Sequence, residues 1–499
     1  MLFRSSPARA PIEKADSGNI MTSANLHQVQ SNSAGEPDAA LAIATHLAKT
    51  RYEDLPASVV QAAKASILDT LGCILAGTPC DDVLSVRKVA AGWAGAPSST
   101  VIGSGGMRLP AASAVLGNGA AIHQFDYDDT HDIAVMHPTS ASLTPALALS
   151  EAQGGALDKK AGQAIITAVA LGNDISSRVG LATRGRMWDH PWFRAPVIGL
   201  FGATVSAAKI LNASADQHLN ALGLTLPQVS GTWASLHHKG SSVRSIRDGL
   251  TYRNGVVAAE LSMAGLRGDK EVFDGPYGFY HAFFRGDYDR NTLLQGLGKH
   301  YETERISLKP WPCIRHLHTA LTAAHELMRQ HQLNFDTIRE VMLYLGQVSI
   351  DRCRPVALGS VPENHIDLAG NMHFAVAALI RHGTIPLAIY HQTAMADDVI
   401  THAMPKVRWQ YDAQYNGRTL EPCRVTITTT SGQTHTASCD TALGHPDNPM
   451  PLDARIGKFV DCAGAALHPL DKARAMQVVD LVMKLEQLPD LKPLMAVLA

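Results

Sequence analysis

The chain has 499 residues, 46% of them hydrophobic and 18% charged, with a formal net charge of −2. A nearly neutral chain of this length has ample apolar content for a large packed core, and no global basic field to draw in nucleic acid or a membrane surface. Its seven cysteines form no CxxC pair and are odd in number, which gives little basis for zinc or iron–sulfur ligation and argues against a disulfide framework. A reducing compartment, the cytoplasm, is the expectation.

Residues 1–36 are polar and patternless and read as a disordered leader, with Met21 an alternative initiator. Arg4, Arg9 and the serines would suit a mitochondrial transit peptide, while Glu13 and Asp16 weigh against one. No run of about 18 apolar residues free of charge follows, so no bilayer-spanning helix is expected. From residue 37 to 304 helical signals dominate. Pro37 and Asp38 open DAALAIATHLA. Pro56 opens a longer helix in which Val60, Ala63, Ile67, Leu71 and Ile74 recur at spacings of three and four, closed by Gly77. Further helices are predicted over 110–124, 139–153, 160–178, 199–212 and 249–265. Their apolar, alanine- and glycine-rich faces mark them as centrally buried. GSGG (103–106) lacks the GxGxxG frame and reads as a turn.

The texture changes near residue 305. TIREVMLYLGQV (337–348) is β-rich, RVTITTTSGQTHTAS (424–438) alternates and turns at Ser431–Gly432, and DLAGNMHFAVAALIRHG (367–383) is a helix ended by Gly383. PLDKARAMQVVDLVMKLEQL (469–488) returns to an amphipathic helix. The fold class expected is mainly α with an α+β insertion. A helical domain is built from both chain ends, 37–304 and 446–499, and a smaller α+β unit spans 305–445.

Three stretches carry titratable groups in patterns that suit chemistry. FDYDDTHDIAVMHPTSA (125–141) places Asp126, Thr130 and His137 between two buried helices. A loop there is expected at the surface, with Asp128, Asp129 and Asp132 solvated or structural and Asp132→Ala of little consequence. Pro138 holds His137 extended beside Thr139 or Ser140 as N-cap. A histidine at a helix mouth near carboxylates suits acid/base work, with Asp126 to orient it and Thr130 to bond a substrate oxygen. LHHKGSSVRSIRDG (236–249) brings His237, His238, Lys239, Arg244 and Arg247 together, either as a solvated basic loop or as an anion cradle. SLKPWPCIRHLHTA (307–320) sets Lys309 on a stiff, aromatic-lined segment at the change of texture. His316-x-His318 lacks a third ligand at useful spacing, so no metal is expected.

With those stretches in place, the chain resembles the MmgE/PrpD family over residues 37–495. The resemblance rests on GNGAAIHQFDYDDTHD…MHPTSASLTPALALSE, VIGLFGATVSAAKILNAS, RNGVVAAELSMAGLRGDKEVFDGPYGFY and LKPWPCIRHLHTA. It implies a helical domain with an α+β lid, a homodimer, a site between the two units, and no cofactor. It also implies that Asp126, Thr130, His137 and Lys309 occupy active-site positions. Against the family's decarboxylase pattern, Phe193 stands for a histidine, Arg244 for a lysine, Ile314 for a histidine and Ile350 for a lid tyrosine. These departures point away from cis-aconitate decarboxylation. The expected activity is a cofactor-independent, dehydratase-like lyase acting on a small di- or tricarboxylate, with epimerase, decarboxylase and non-catalytic carboxylate binder as alternatives. Arg244 and Lys309 would clamp the substrate, with Arg194, Arg247 and Lys239 as further binding residues.

Overall fold

The computed structural model describes residues 36–154, 160–184, 190–234, 241–353 and 364–499. The leader expected over 1–36 lies almost wholly outside them, as do His237, His238 and Lys239.

Helices α1 (Ala39–Lys49), α2 (Ala57–Gly77), α3 (Asp81–Ala91), α4 (Ala111–Ile122), α5 (Pro138–Ala152), α6 (Ala161–Ala182), α7 (Arg194–Ile210), α8 (Ala215–Thr225) and α9 (Val243–Met263) form the main body. Asp38 caps α1 by accepting the Ala40 N–H at 2.9 Å, which satisfies one of the amides that a helix start leaves open. Helix α2 is long and apolar enough by length and composition to cross a membrane, contrary to expectation. Here 83% of its most apolar window is buried in the protein. Its Lys64 and Asp69 pair with Glu486 at 2.9 Å and Lys458 at 2.7 Å.

Two starts differ from the sequence reading. Helix α7 begins at Arg194, not 199, because Pro196 falls in the first turn, where its missing N–H costs nothing. Helix α9 begins at Val243, not 249, so Arg244 and Arg247 ride on its first turns and not on a loop. Helix α9 packs along α4 at glycine-to-glycine contact. A Cβ added to Gly119 would stand 2.7 Å from the Gly249 Cα, and one on Gly249 would stand 2.3 Å from the Leu116 carbonyl oxygen. Only glycine permits that approach, and it draws Arg244 and Arg247 to the end of α4.

A two-residue antiparallel pair, β1 (Ser99–Thr100) with β2 (Arg108–Leu109), brackets the predicted turn at 103–106. Gly103, Gly105 and Gly106 all have positive φ there, and the turn donates its amides to the Leu498 and Ala499 carbonyls. This pair lies outside 305–445, where all strand was expected.

The larger sheet has the order β4-β3-β5-β6, from β3 (Ile338–Leu345), β4 (Val407–Tyr411), β5 (Cys423–Thr429) and β6 (Thr434–Cys439). Strands β3 and β4 run parallel; β3/β5 and β5/β6 are antiparallel. The alternation of Cys423, Val425 and Ile427 buries one face of β5, and α10 (His318–Gln330) packs on β5 and β6. Helix α11 (Met372–His382) ends in left-handed Gly383, as its sequence predicts. Helix α12 (Leu452–Gly464) returns to α2, with Phe459 and Cys462 against Gly72, and α13 (Lys472–Met483) follows. All seven cysteines are free and buried.

Candidate active site

The acidic run between α4 and α5 is not solvated. Asp126, Asp128 and Asp129 are buried, and the Asp132 side chain is 7% exposed. A buried loop must satisfy its own polar groups, and this one pairs most of them, leaving Asp129 Oδ2 and Thr130 Oγ1 without a partner. Asp128 accepts from Ser140 Oγ at 2.9 Å, and Asp129 accepts from the Thr139 N–H at 3.4 Å. Thr139 and Ser140 are therefore not the N-cap. His137 occupies that position, Pro138 is the first helical residue, and Asp128 supplies negative charge at the N-terminus of α5, where the helix dipole favours it. Asp126 (φ 49°) and Val135 (φ 57°) adopt left-handed backbone. For a β-branched residue that conformation is an outlier of the kind that clusters at functional sites.

His137 Nδ1 lies 2.7 Å from the Asp129 carbonyl oxygen and 3.1 Å from Asp128 Oδ2. Both partners only accept, so Nδ1 carries the proton and Nε2 is left for chemistry. Asp126 was expected to orient His137, and the structure gives that part to Asp128 and the Asp129 carbonyl. Asp126 instead joins the cations: Lys309 Nζ donates to its Oδ1 at 2.5 Å and its carbonyl at 2.6 Å, and Arg244 Nη2 donates to Oδ2 at 2.7 Å. The stiff 307–312 segment is tied on by a reciprocal backbone pair, Thr130 N to Ser307 O at 2.9 Å and Ser307 N to Thr130 O at 2.8 Å. Asp132 reinforces it by accepting from Arg315 Nε at 3.0 Å, Arg315 Nη2 at 3.1 Å and Ser307 Oγ at 2.7 Å.

His123 was not singled out by sequence. Its Nδ1 lies 2.8 Å from Asp128 Oδ1, and Arg247 Nη2 donates to its Nε2 at 3.1 Å. Arginine has no acceptor, so both nitrogens are spent and the ring is neutral. Burial and then Arg247 push its pKa down to about 3. For His137 burial works against the imidazolium, but the charge and hydrogen bond of Asp128 outweigh it and raise the pKa above the ordinary value. Burial alone would raise Asp126, yet Lys309, His123 and Arg244 hold it well below the usual carboxylate range. Asp129, with little beyond the Thr139 amide to offset burial, is pushed up to about 7.

His137, Asp126, Thr130, Arg244, Arg247 and Lys309 line one cavity of about 70 Å³. Phe193, Ala195, Val135 and Ile314 form its apolar wall, so with Arg244 three of the four positions that depart from the decarboxylase pattern face the site. Ile350 is buried outside that lining, and Arg194 is buried with its neighbours Phe193 and Ala195 on the wall in its place. A larger cavity, about 990 Å³, lies elsewhere, lined by Tyr127, Trp311 and Lys458. Its lysine is already spent on Asp69 and the Tyr127 carbonyl, at 2.7 and 2.8 Å, so we place the chemistry in the smaller one.

Folding also gathers His123, Asp126, Asp128 and His137 with ligand atoms within 4.8 Å of one another, a cluster that no sequence spacing showed. Its donors are already engaged: Asp126 by Lys309 and Arg244, Asp128 by both imidazoles. A cation there would displace those bonds and meet three cationic side chains, so the donor set does not fit a metal.

Known proteins bear on this site. The cis-aconitate decarboxylase of Aspergillus terreus (strain NIH 2624 / FGSC A1156) is 26% identical over 470 residues, covering 89% of this chain and 93% of the relative. The human cis-aconitate decarboxylase is 26% identical over 441 residues, 87% of this chain and 88% of the relative. The cis-aconitate decarboxylase-like protein oryM of Aspergillus oryzae is 26% identical over 463 residues, 89% and 94%. The MmgE/PrpD N-terminal domain matches residues 41–291 and the MmgE/PrpD C-terminal domain residues 311–485; this chain belongs to the MmgE/PrpD family.

Proposed function

We propose that the protein is a cofactor-independent lyase that moves a proton at a carbon next to a carboxylate, on a small di- or tricarboxylate, and that the reaction is dehydration. One observation carries the substrate class. Among the described residues lining the cavity, five are cationic (Arg244, Arg247, Lys309, Arg315 and Arg352) and one, Asp126, is anionic. Arg315 is neutralised by Asp132 and Arg247 lies 3.4 Å from Asp248, yet Arg244 and Lys309 share the single Asp126 carboxylate, so positive charge remains in excess and a polyanion supplies the balance.

A proton beside a carboxylate is very weakly acidic, so the developing enediolate must be stabilised where it forms. Lys309 has three donors, two of them on Asp126, which leaves one for a substrate oxygen. Arg244 Nε is buried without a partner and supplies another. Thr130 Oγ1 is likewise buried and unpartnered, in reach of a substrate hydroxyl or carboxylate. His137, held as the Nδ1–H tautomer, handles a proton through Nε2. In dehydration the C–H electron pair becomes the double bond, the C–O bond breaks, and the hydroxyl leaves as water with a proton from the enzyme.

Decarboxylation is the second reading, favoured by the names of the relatives, and Phe193 and Ile314 on the cavity wall weigh against it. The architecture we propose is a helical body from both chain ends with residues 305–445 as a lid, as a cytoplasmic homodimer. The two-part body is supported by the confinement of the four-stranded sheet to that span and the return of α12 to α2. Incubation with citrate, 2-methylcitrate and cis-aconitate in D₂O tests the reading. New double-bond absorbance without CO₂ supports dehydration, CO₂ release supports decarboxylation, exchange alone supports epimerisation, and silence on all three acids overturns the lyase assignment.

A further inference from the structure

Proton abstraction followed by loss of hydroxide needs two proton-handling groups, and His137 is one. We propose that His316 is the other, a catalytic base that takes the carbon-bound proton while His137 delivers a proton to the departing oxygen. The inference rests on the dehydratase reading above and deepens it.

Four histidines lie at or beside the site, and their partners separate them. His123 has both nitrogens engaged, by Asp128 and Arg247. His318 is fully buried, with Nε2 against the Cys313 carbonyl at 3.3 Å, and although its Nδ1 has no partner it does not line the cavity. His137 is tethered at Nδ1. His316 lines the same small cavity as His137, Asp126 and Lys309, and its Nδ1 is buried with no hydrogen-bond partner. Buried side-chain polar atoms in native proteins almost always have one, and the exceptions call for an explanation. An imidazole with no fixed partner can take up a proton at one nitrogen without first breaking a bond. The backbone beneath it is also well placed. His316 belongs to the one-turn helix Arg315–Leu317, directly after the Lys309–Pro312 segment that Asp126 and Thr130 hold in place. Proton acceptor and enediolate clamp are thus mounted on one short piece of chain.

The electrostatics of the two rings differ in the direction the chemistry needs. Burial and then Arg352 push His316 down to about 4; Asp132 and Asp126 act against them, and Lys309 adds the smallest push in the same direction as burial. His137 is raised by Asp128, and by Asp126 more weakly, against burial and Lys309. His316 is thus driven towards the empty base and His137 towards its protonated form. Environments that drive two titratable groups apart are how an acid/base pair is recognised. In the step itself His316 gains the proton from carbon, and the C–H pair becomes the π bond as the C–O pair leaves with the proton of His137. One proton then returns from His316 to His137 through solvent before the next turnover.

The test is His316→Gln and His316→Asn, each with a thermal unfolding transition near that of the parent, assayed on whichever of citrate, 2-methylcitrate or cis-aconitate the parent converts. Both variants should lose roughly 10²–10⁴-fold in kcat, the range for removal of a general base. KM should stay within about threefold, because the cationic clamp is untouched. Parent enzyme should exchange the substrate C–H in D₂O and the variants should not. The acidic limb of the parent's kcat–pH profile should vanish from their residual activity. Exchange at parental rate in the variants, or kcat within about threefold of the parent, overturns the role of His316 and leaves the lyase reading standing. A parent that releases CO₂ with no C–H exchange overturns it as well, since decarboxylation needs only a proton donor. A parent inert towards all three acids brings down the reading on which the inference rests.

Discussion

Asp132→Ala is the substitution on which sequence and structure disagree most. The sequence reading makes it nearly silent. In the folded protein Asp132 grips Arg315 through two bonds of 3.0 and 3.1 Å, with side chains 7% and 4% exposed, and accepts from Ser307 Oγ at 2.7 Å. Removing the carboxylate leaves a buried guanidinium whose remaining bond is to the Leu443 carbonyl at 3.1 Å. Breaking one side of such a pair costs about 3–5 kcal/mol, mostly from the stranded charge and not from the lost attraction. Asp132→Ala/Arg315→Met, which removes both charges, should therefore be more stable than Asp132→Ala alone. Urea titrations of the parent, both single variants and the double variant measure this, and the cycle isolates the coupling. Burial raises the Asp132 carboxyl, but Arg315 and Ser307 outweigh it and hold the pKa below its unfolded value. The pair's stabilisation is therefore present above the unfolded pKa and is lost as pH falls through the folded one. The parental advantage over Asp132→Ala should shrink on acidification. A single-variant loss below about 0.5 kcal/mol, the scatter of ordinary surface substitutions, would refute the argument.

Three further outcomes follow from the geometry. His137→Gln should lower turnover by roughly a hundredfold or more with folding intact, measured as steady-state kcat beside a thermal melt; its parent profile should fall on the alkaline side, as pH rises through the elevated pKa of His137. Arg244→Ala should raise KM more than it lowers kcat, since the clamp acts both before and during reaction; an unchanged KM would remove Arg244 from the substrate. Exhaustive EDTA treatment should leave activity whole, because Lys309, Arg244 and the imidazoles already engage the Asp126–Asp128 cluster; loss restored by zinc or iron would show that cluster to be a metal site.

Local pattern determined a good deal of this protein. Spacings of three and four marked α2, alternation marked β5, and Gly383 closed α11 at the predicted position, because each depends on neighbours within a turn or a strand. The residue types also led to the polyanion site proposed above, since Asp126, His137, Arg244 and Lys309 stand out in a chain with few charges. What only the tertiary structure decided is who pairs with whom. Asp128, not Asp126, holds His137; Asp126 belongs to Lys309, 183 residues away; and His123 joins Arg247 across 124 residues. No sequence spacing encodes those partners, because the glycine contact between α4 and α9 and the backbone pair between Thr130 and Ser307 bring them together. Burial was misread for the same reason. Aspartates in a loop look solvated until the cations that compensate their charge, Lys309, Arg244 and Arg315, are folded around them from distant parts of the chain, beside the N-terminus of α5 that directly follows the loop.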